Sequence, residues 1–503
     1  MREPMRSLRL PLSLVVGAVS LSLTLSGGPA WSEPPSPSSA GAASGAVGAP
    51  EIQAAVRALV NDRSLRDAQV GVSVIDVETG AVLAQSGEHT ALNPASNAKL
   101  YTAAAALAIL RGSHRYQTTL NGTIKNGAVA ELVLRGHGDP SLRSRDLWMM
   151  AEELKAHGVR RVESLVVDQR FFDEQTTPPA FEQQPNEWAS FRAPVSAVAL
   201  NENTVTLTIR PTETGQPATA SFDPPGFVDV DGTVKTAEAG ADTVGLELAP
   251  AAGKRLTAKL SGAVGGDSKF VRYTRRVDDP QLLAGYALKA IFEEMGVKVG
   301  GDPKLATSVT SKGTVLVRHE SEPLSTLLYA LGKSSDNFYA EMIFKSLASE
   351  GKTRPGKSQD AAEFVTKWLE KNQLLDTGIV VKNGSGLFDA NRTTAYGMTR
   401  LLKFAWQDPA VQSEYLAQLS IGGVDGTLHK RFRETRAHRA IRAKTGTLDD
   451  AIALSGYVLG PPGKHTIAFS VMFNKVSGKG SAARAAADKL AHLIYERQWK
   501  QAD

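Results

Sequence analysis

Ser96 and Lys99 stand three residues apart, Ser335 and Asn337 flank Asp336, and Lys444-Thr445-Gly446-Thr447 makes a third cluster far downstream. By residue type these offer a nucleophile, a proton shuttle and a receptor for a carboxylate. A serine hydroxyl attacks a carbonyl only if a base removes its proton, and a lysine can be that base once burial or nearby cations lower its pKa toward the working pH. Ser335 offers a hydroxyl and Asn337 an amide. Lys444 brings positive charge, Thr445 and Thr447 bring hydroxyls, and Gly446 leaves room for a substrate backbone to come close.

These side chains need elements to hold them. After Pro94, apolar residues at Leu100, Ala103, Ala104, Leu107 and Leu110 predict a helix from Ser96 to Leu110, with Gly112 as its stop. Residues three apart share a helix face, so the Lys99 amine can reach the Ser96 hydroxyl. Free N–H groups at the helix start make the Ser96 N–H one half of an oxyanion hole. Ser335-Asp336-Asn337 falls in a loop or at the start of the helical run Phe338, Met342, Phe344, Leu347. Ala440 to Leu448, the turn Asp449-Asp450 and Ile452 to Val458 read as a hairpin. A second Ser-x-x-Lys, Ser349 to Lys352, is read as a chance match in a Gly/Pro/Lys-rich loop, and His137 as a loop residue. Singly, each cluster also suits a helix cap or a solvated strand end.

The three motifs in this order resemble the active-site set of penicillin-binding proteins and serine β-lactamases. The blocks GHGDPSL (136–142), APVSAVALNENTV (193–205), NGSGL (383–387) with Asn391-Arg392, GVDGTL (423–428) and AKTGTL (443–448) narrow this. The chain is similar to low-molecular-mass class C penicillin-binding proteins, the D-alanyl-D-alanine carboxypeptidase/endopeptidase family. One departure is Asn383, where the family block usually begins with Asp. The resemblance implies a serine ester on Ser96, Lys99 as base, Ser335 and Asn337 as shuttle and orienting amide, the Thr447 N–H as second oxyanion donor, and Lys444, Thr445, Gly446 and Thr447 around the substrate carboxylate. It also implies that the stretch Glu187 to Asn203 reaches the cleft, with Glu187 pairing an amine and Arg192 opposing it.

From Ser96 to Ser335 is 335 − 96 = 239 residues, which implies an insertion, and the short runs Val129 to Leu134, Thr204 to Ile209 and Val244 to Leu248 make it β-rich. The expected division is a discontinuous D,D-peptidase domain (51–117 and 322–503), an inserted domain II (118–192 and 291–321) and an inserted domain III (193–290). The expected fold class is α/β of the α+β type, a penicillin-binding/serine β-lactamase-like sandwich. Its five antiparallel strands come from Val70 to Ile75, Ala81 to Gln85 and the late runs near Ile441, Ile452 and Thr466 to Phe473. Ile52 to Val60 and Ala482 to Arg497 cover one face, and the Ser96 helix with its companions covers the other.

The chain has no cysteine, which excludes disulfides, a catalytic thiol and thiolate metal sites. No metal-protease or nucleophile-elbow spacing occurs, so no cofactor and no metal are expected. The net charge of +5 is taken to form no basic tract, and nucleic-acid binding is not inferred. Arg2, Arg6 and Arg9, the apolar run Leu10 to Leu25 and small residues up to Ser32 read as a secretory signal (1–32), followed by a disordered linker (33–50). A periplasmic enzyme is expected. Its partners are peptidoglycan peptides and β-lactam antibiotics, with peripheral attachment to membrane or wall and the oligomeric state left open. A β-lactamase or a non-catalytic wall-binding protein are the alternatives.

Overall fold

The computed structural model describes residues 48–500 apart from 185–187, 241, 308–312 and 351–353. The expected signal segment, most of the expected linker, Glu187 and Lys352 lie outside the described residues. The linker's last residues are ordered: the Gly48 N–H donates to Val82 O, and Pro50 opens the helix Pro50–Val60.

The part of the chain outside the insertion is built on one antiparallel sheet in the order Val82–Ser86, Gln69–Asp76, Ile467–Asn474, Ala451–Val458, Ile441–Thr447, Ser420–Ile421. Five of these strands are the expected ones, and the two-residue edge strand Ser420–Ile421 makes six. First and last parts of the chain meet directly in register, Gln69 opposite Asn474 through Asp76 opposite Ile467. All eight residues of Ala451–Val458 are buried, as a central strand covered on both faces requires.

Pro50–Val60 and the C-terminal helix Gly480–Lys500 close one face around Ile52, Val56, Leu454, Phe469 and Leu490. The other face packs against a helical layer that includes Lys99–Leu110, Leu324–Gly332, Asn337–Glu350 and Ala395–Gln407. The helix Lys99–Leu110 is capped by Arg111, one residue before Gly112, at a positive φ of 75°.

The inserted chain is less exclusively β than expected. Its five-stranded sheet runs Lys304–Leu305, Leu165–Asp168, Leu132–Gly136, Gln117–Gly122, Thr314–Glu320, and the helices Ser144–Ala156 and Leu283–Glu294 share its apolar core. Leu283–Glu294 runs straight through the expected 290/291 boundary. Because Leu288, Ile291 and Phe292 are buried in the core that contains Leu147 and Leu154, the whole helix goes with the five-stranded sheet. Farther out, smaller sheets built from 204–276 enclose a separate core of Leu207, Ile209, Val234, Ala258, Leu260 and Val264.

Candidate active site

Ser96 lies on a short 3-10 turn, Ala95–Ala98, that runs into the helix Lys99–Leu110. The turn is held hard against the sheet. Asn97 is fully buried and its Nδ2 donates to Ser455 Oγ at 2.7 Å, while Ala95 adopts φ 46°, a strained value for a residue with a Cβ. Gly446 is where turn and strand touch: a Cβ there would stand 2.6 Å from Pro94 O and 3.1 Å from the Ala95 Cβ. The packing of the Ser96 turn is thus one reason for a glycine at 446.

The structure brings the three motifs together. Lys99 Nζ lies 3.0 Å from Ser96 Oγ, 2.7 Å from Asn337 Oδ1 and 2.8 Å from Ser385 O. Lys444 Nζ donates to Ser335 Oγ at 2.8 Å and to Thr445 O at 2.8 Å. Asn337 is the first residue of the helix Asn337–Glu350, Ser335 sits before it at φ 59°, and Asp336 Oδ1 caps that helix by accepting the Tyr339 N–H at 2.9 Å. The Asn337 amide is fixed at its other end too, with Nδ2 donating to Phe191 O at 3.1 Å.

Both lysines are fully buried. Burial lowers the Lys99 pKa to about 7, against the opposing pull of the Glu341 and Asp336 carboxylates. Two of its three neighbours, a carbonyl and an amide oxygen, are pure acceptors. A neutral amine has two N–H bonds and one lone pair, so with both hydrogens committed to Asn337 and Ser385 the lone pair faces the Ser96 hydroxyl. Burial, and then Lys99, depress Lys444 as well, and no carboxylate counters the shift. Asp336 is pushed up to about 6 by burial and by Glu202.

Ile441 O accepts the Gly422 N–H, and strand alternation then turns the N–H and C=O groups of Thr445 and Thr447 to the same edge. Ser420–Ile421 covers that edge only at Ala443 and Arg442. Beyond it the strand is open toward the Ser96 turn, and Thr447 is exposed.

Several residues around the site were given no role from sequence. Glu341 is buried one helical turn after Asn337, and its carboxylate accepts the N–H groups of Ser385 (2.8 Å) and Gly384 (3.2 Å). It thereby aims the Ser385 carbonyl at Lys99. Its only sequence signal is a charge within an otherwise apolar run. Thr427 accepts from the Thr445 hydroxyl at 2.8 Å and belongs to the GVDGTL block. Asn383, the family departure, organises the wall behind Lys99: its Nδ2 donates to Pro179 O (2.9 Å) and Leu387 O (3.3 Å), and its Oδ1 accepts from Gly386 N (2.9 Å) and Asn391 Nδ2 (2.8 Å).

One other reading is corrected. Ser349 is not in a loop but on the last turn of Asn337–Glu350, buried and donating to Phe171 O. Arg192 is buried, donates to Phe181 O and covers the Phe388 ring at 5.3 Å.

A serine beside a dry, depressed lysine, on a helix packed against an antiparallel sheet, defines a serine hydrolase of the penicillin-binding fold. The crystal structure of penicillin binding protein 4 (dacB) from Haemophilus influenzae superposes with a TM-score of 0.71 at 23% identity, covering 88% of this chain and 98% of that one. The D-Ala-D-Ala carboxypeptidase 3 (S13) family matches residues 52–494, and the chain belongs to that family. It is 33% identical over 472 residues to the D-alanyl-D-alanine carboxypeptidase of Actinomadura sp. (strain R39), covering 90% of this chain and 86% of that protein. It is 24% identical over 416 residues to D-alanyl-D-alanine carboxypeptidase DacB of Haemophilus influenzae, covering 81% and 86%.

Proposed function

We propose that the chain cleaves the bond between two D-alanines of peptidoglycan stem peptides, and the equivalent bond in cross-links, through an ester on Ser96. The observation that carries this is the three-way hold on Lys99 Nζ, which leaves a lone pair for the Ser96 proton. Lys99 takes that proton as Ser96 Oγ bonds to the carbonyl carbon, a step worth roughly 10²–10⁴ in rate. The N–H groups of Ser96 and Thr447 receive the oxyanion, each worth about 10²–10³. Collapse breaks the C–N bond, and Ser335 passes the proton that Lys99 took on to the leaving amine, so that both groups return to their starting state. Asn337 orients the substrate amide, while Lys444, Thr445 and Thr447 hold the terminal carboxylate. Water then hydrolyses the ester.

A β-lactam carries the same carbonyl beside a carboxylate and would acylate Ser96. A structure of the Haemophilus influenzae penicillin binding protein 4 complexed with a β-lactam supports this for the fold. We further place the enzyme in the periplasm, with the peptidase domain interrupted by domains II and III. No described helix is long and apolar enough to cross a membrane.

Defined muropeptides, monomeric and cross-linked, test the reading. Mass spectrometry should find monomers short of one D-alanine and dimers split into monomers. Unchanged substrates, in a preparation that binds them, would refute it.

A further inference from the structure

The modest net charge conceals an uneven distribution. Between residues 430 and 442 the chain carries Lys430, Arg431, Arg433, Arg436, Arg439 and Arg442 against Glu434 alone, so the expectation of no basic tract is wrong. Arg431 is used internally, donating to Asp488. Phe432, Ala437 and Ala440 anchor the loop in the core behind the sheet, which leaves Lys430, Arg433, Arg436 and Arg439 exposed. Among the described residues, no acidic side chain forms an ion pair with these four or with Arg442.

This loop joins the strand of Lys444 through Arg439 and Arg442. Arg442 precedes Lys444 by two residues on one strand, so both side chains leave the same face of the sheet, about 7 Å apart along it. The neighbours Ile441 and Ala443 point the other way, into the core with Phe432. Arg442 is half-buried, and its guanidinium donates to Arg439 O at 2.8 Å. Burial and the adjacent Arg439 charge lower its pKa, and the nearby Asp425 is held by Lys333 at 2.7 Å. An Arg442 guanidinium bound to the Arg439 backbone, with neither arginine ion-paired to a carboxylate among the described residues, makes a place for an anion from outside. Lys444, Ser335, Thr445 and Thr427 mark the leaving-group end of the cleft, and Arg442 is the next cation beyond it.

We propose that Arg442, Arg439, Arg436 and Arg433 form a cationic surface that holds carboxylate-bearing wall polymer continuing past the leaving group, so that the enzyme favours cross-linked, polymeric peptide over free stem peptide. This rests on the peptidase reading given above. A free stem peptide ends at the carboxylate that Lys444 receives. A cross-linked one continues from the leaving residue into a second acidic peptide, which meets the arginines.

The test is the triple variant Arg433→Gln, Arg436→Gln, Arg439→Gln, in exposed positions outside the catalytic set, checked for unchanged melting. It is assayed on a small D-alanyl-D-alanine peptide and on purified cross-linked peptidoglycan, at low and high salt. The small peptide should be cleaved within about twofold of wild type. Cleavage of polymer at low salt should fall about tenfold, and its salt dependence should flatten, as expected for peripheral charges that steer and hold a polyanion. Equal loss on both substrates, or full retention on polymer, would overturn the proposal. So would loss of binding to anionic phospholipid vesicles with polymer cleavage unchanged, which would make this a membrane-facing surface. Co-sedimentation with insoluble peptidoglycan needs no catalysis, so if the wild type fails to cleave either substrate the peptidase reading fails while retention of protein by polymer, lost in the variant, still decides this one.

Discussion

Lys99 and Lys444 are both fully buried, yet their surroundings differ in the one respect that sets their chemistry. Burial brings the Lys99 pKa down to about 7 against the opposing pull of two carboxylates, Glu341 and Asp336, and its amine meets two fixed acceptors. Lys444 has a hydroxyl and a carbonyl only, and burial drives it well down. In the proposed mechanism the carboxylate of the substrate is the counter-charge that Lys444 meets. Burial acts on both lysines, and what differs between them is the set of fixed counter-charges.

The contrast is broken most severely at Lys99. Lys99→Arg should lower acylation by a factor of about 1000 or more with unchanged melting, because guanidinium keeps its proton in proteins. Rapid mixing with a chromogenic β-lactam measures it, and normal acylation would remove Lys99 from the base role. Lys444 tests the other side. A charge-assisted hydrogen bond contributes roughly 1.5–3 kcal/mol, so wild type should prefer a free over an amidated terminal carboxylate by about tenfold or more in kcat/KM, and Lys444→Ala should lose that preference. Equal cleavage of both peptides by wild type would misplace the receptor.

A finer test moves a pKa without touching either lysine. The acidic limb of kcat/KM should rise through about pH 7 as Lys99 loses its proton. Glu341 accepts two N–H groups and the Ser385 hydroxyl, a set of donors that suits the carboxylate although burial raises its pKa. Its negative charge holds the Lys99 pKa up, so Glu341→Gln should shift the limb to lower pH, and Glu341→Asp should shift it less. A lower rate with an unmoved limb would reduce Glu341 to packing. The smallest effect on rate is expected at Asn383→Asp, which sets a carboxylate against the carbonyls of Pro179 and Leu387. Activity should fall less than about tenfold while stability drops by about 1–3 kcal/mol, read from denaturant midpoints.

Much of this contrast was legible from residue types and spacing. The Ser96–Lys99 pair is local, and five strands are long enough to display their apolar runs. Ser420–Ile421 is too short to carry a period. The helix Ser144–Ala156 does carry one, at Leu147, Met150, Ala151 and Leu154, but the neighbouring Gly- and Pro-broken runs drew the reading toward strands. Glu341 could not be assigned a role, because its partners are 43 and 44 residues away and only folding shows that it aims a carbonyl. The close approach of Pro94 and Ala95 to Gly446 was not legible either, since what lies opposite a missing Cβ is set by tertiary packing.

The central claim is that the lone pair of Lys99 makes Ser96, and no other serine, the acyl acceptor. Incubation with a labelled penicillin, digestion and mass spectrometry test it most directly. One adduct should be found, on Ser96, absent from Ser96→Ala and still formed, though slowly released, in Lys444→Ala. An adduct that persists in Ser96→Ala, or that maps to the buried Ser349, would contradict the account.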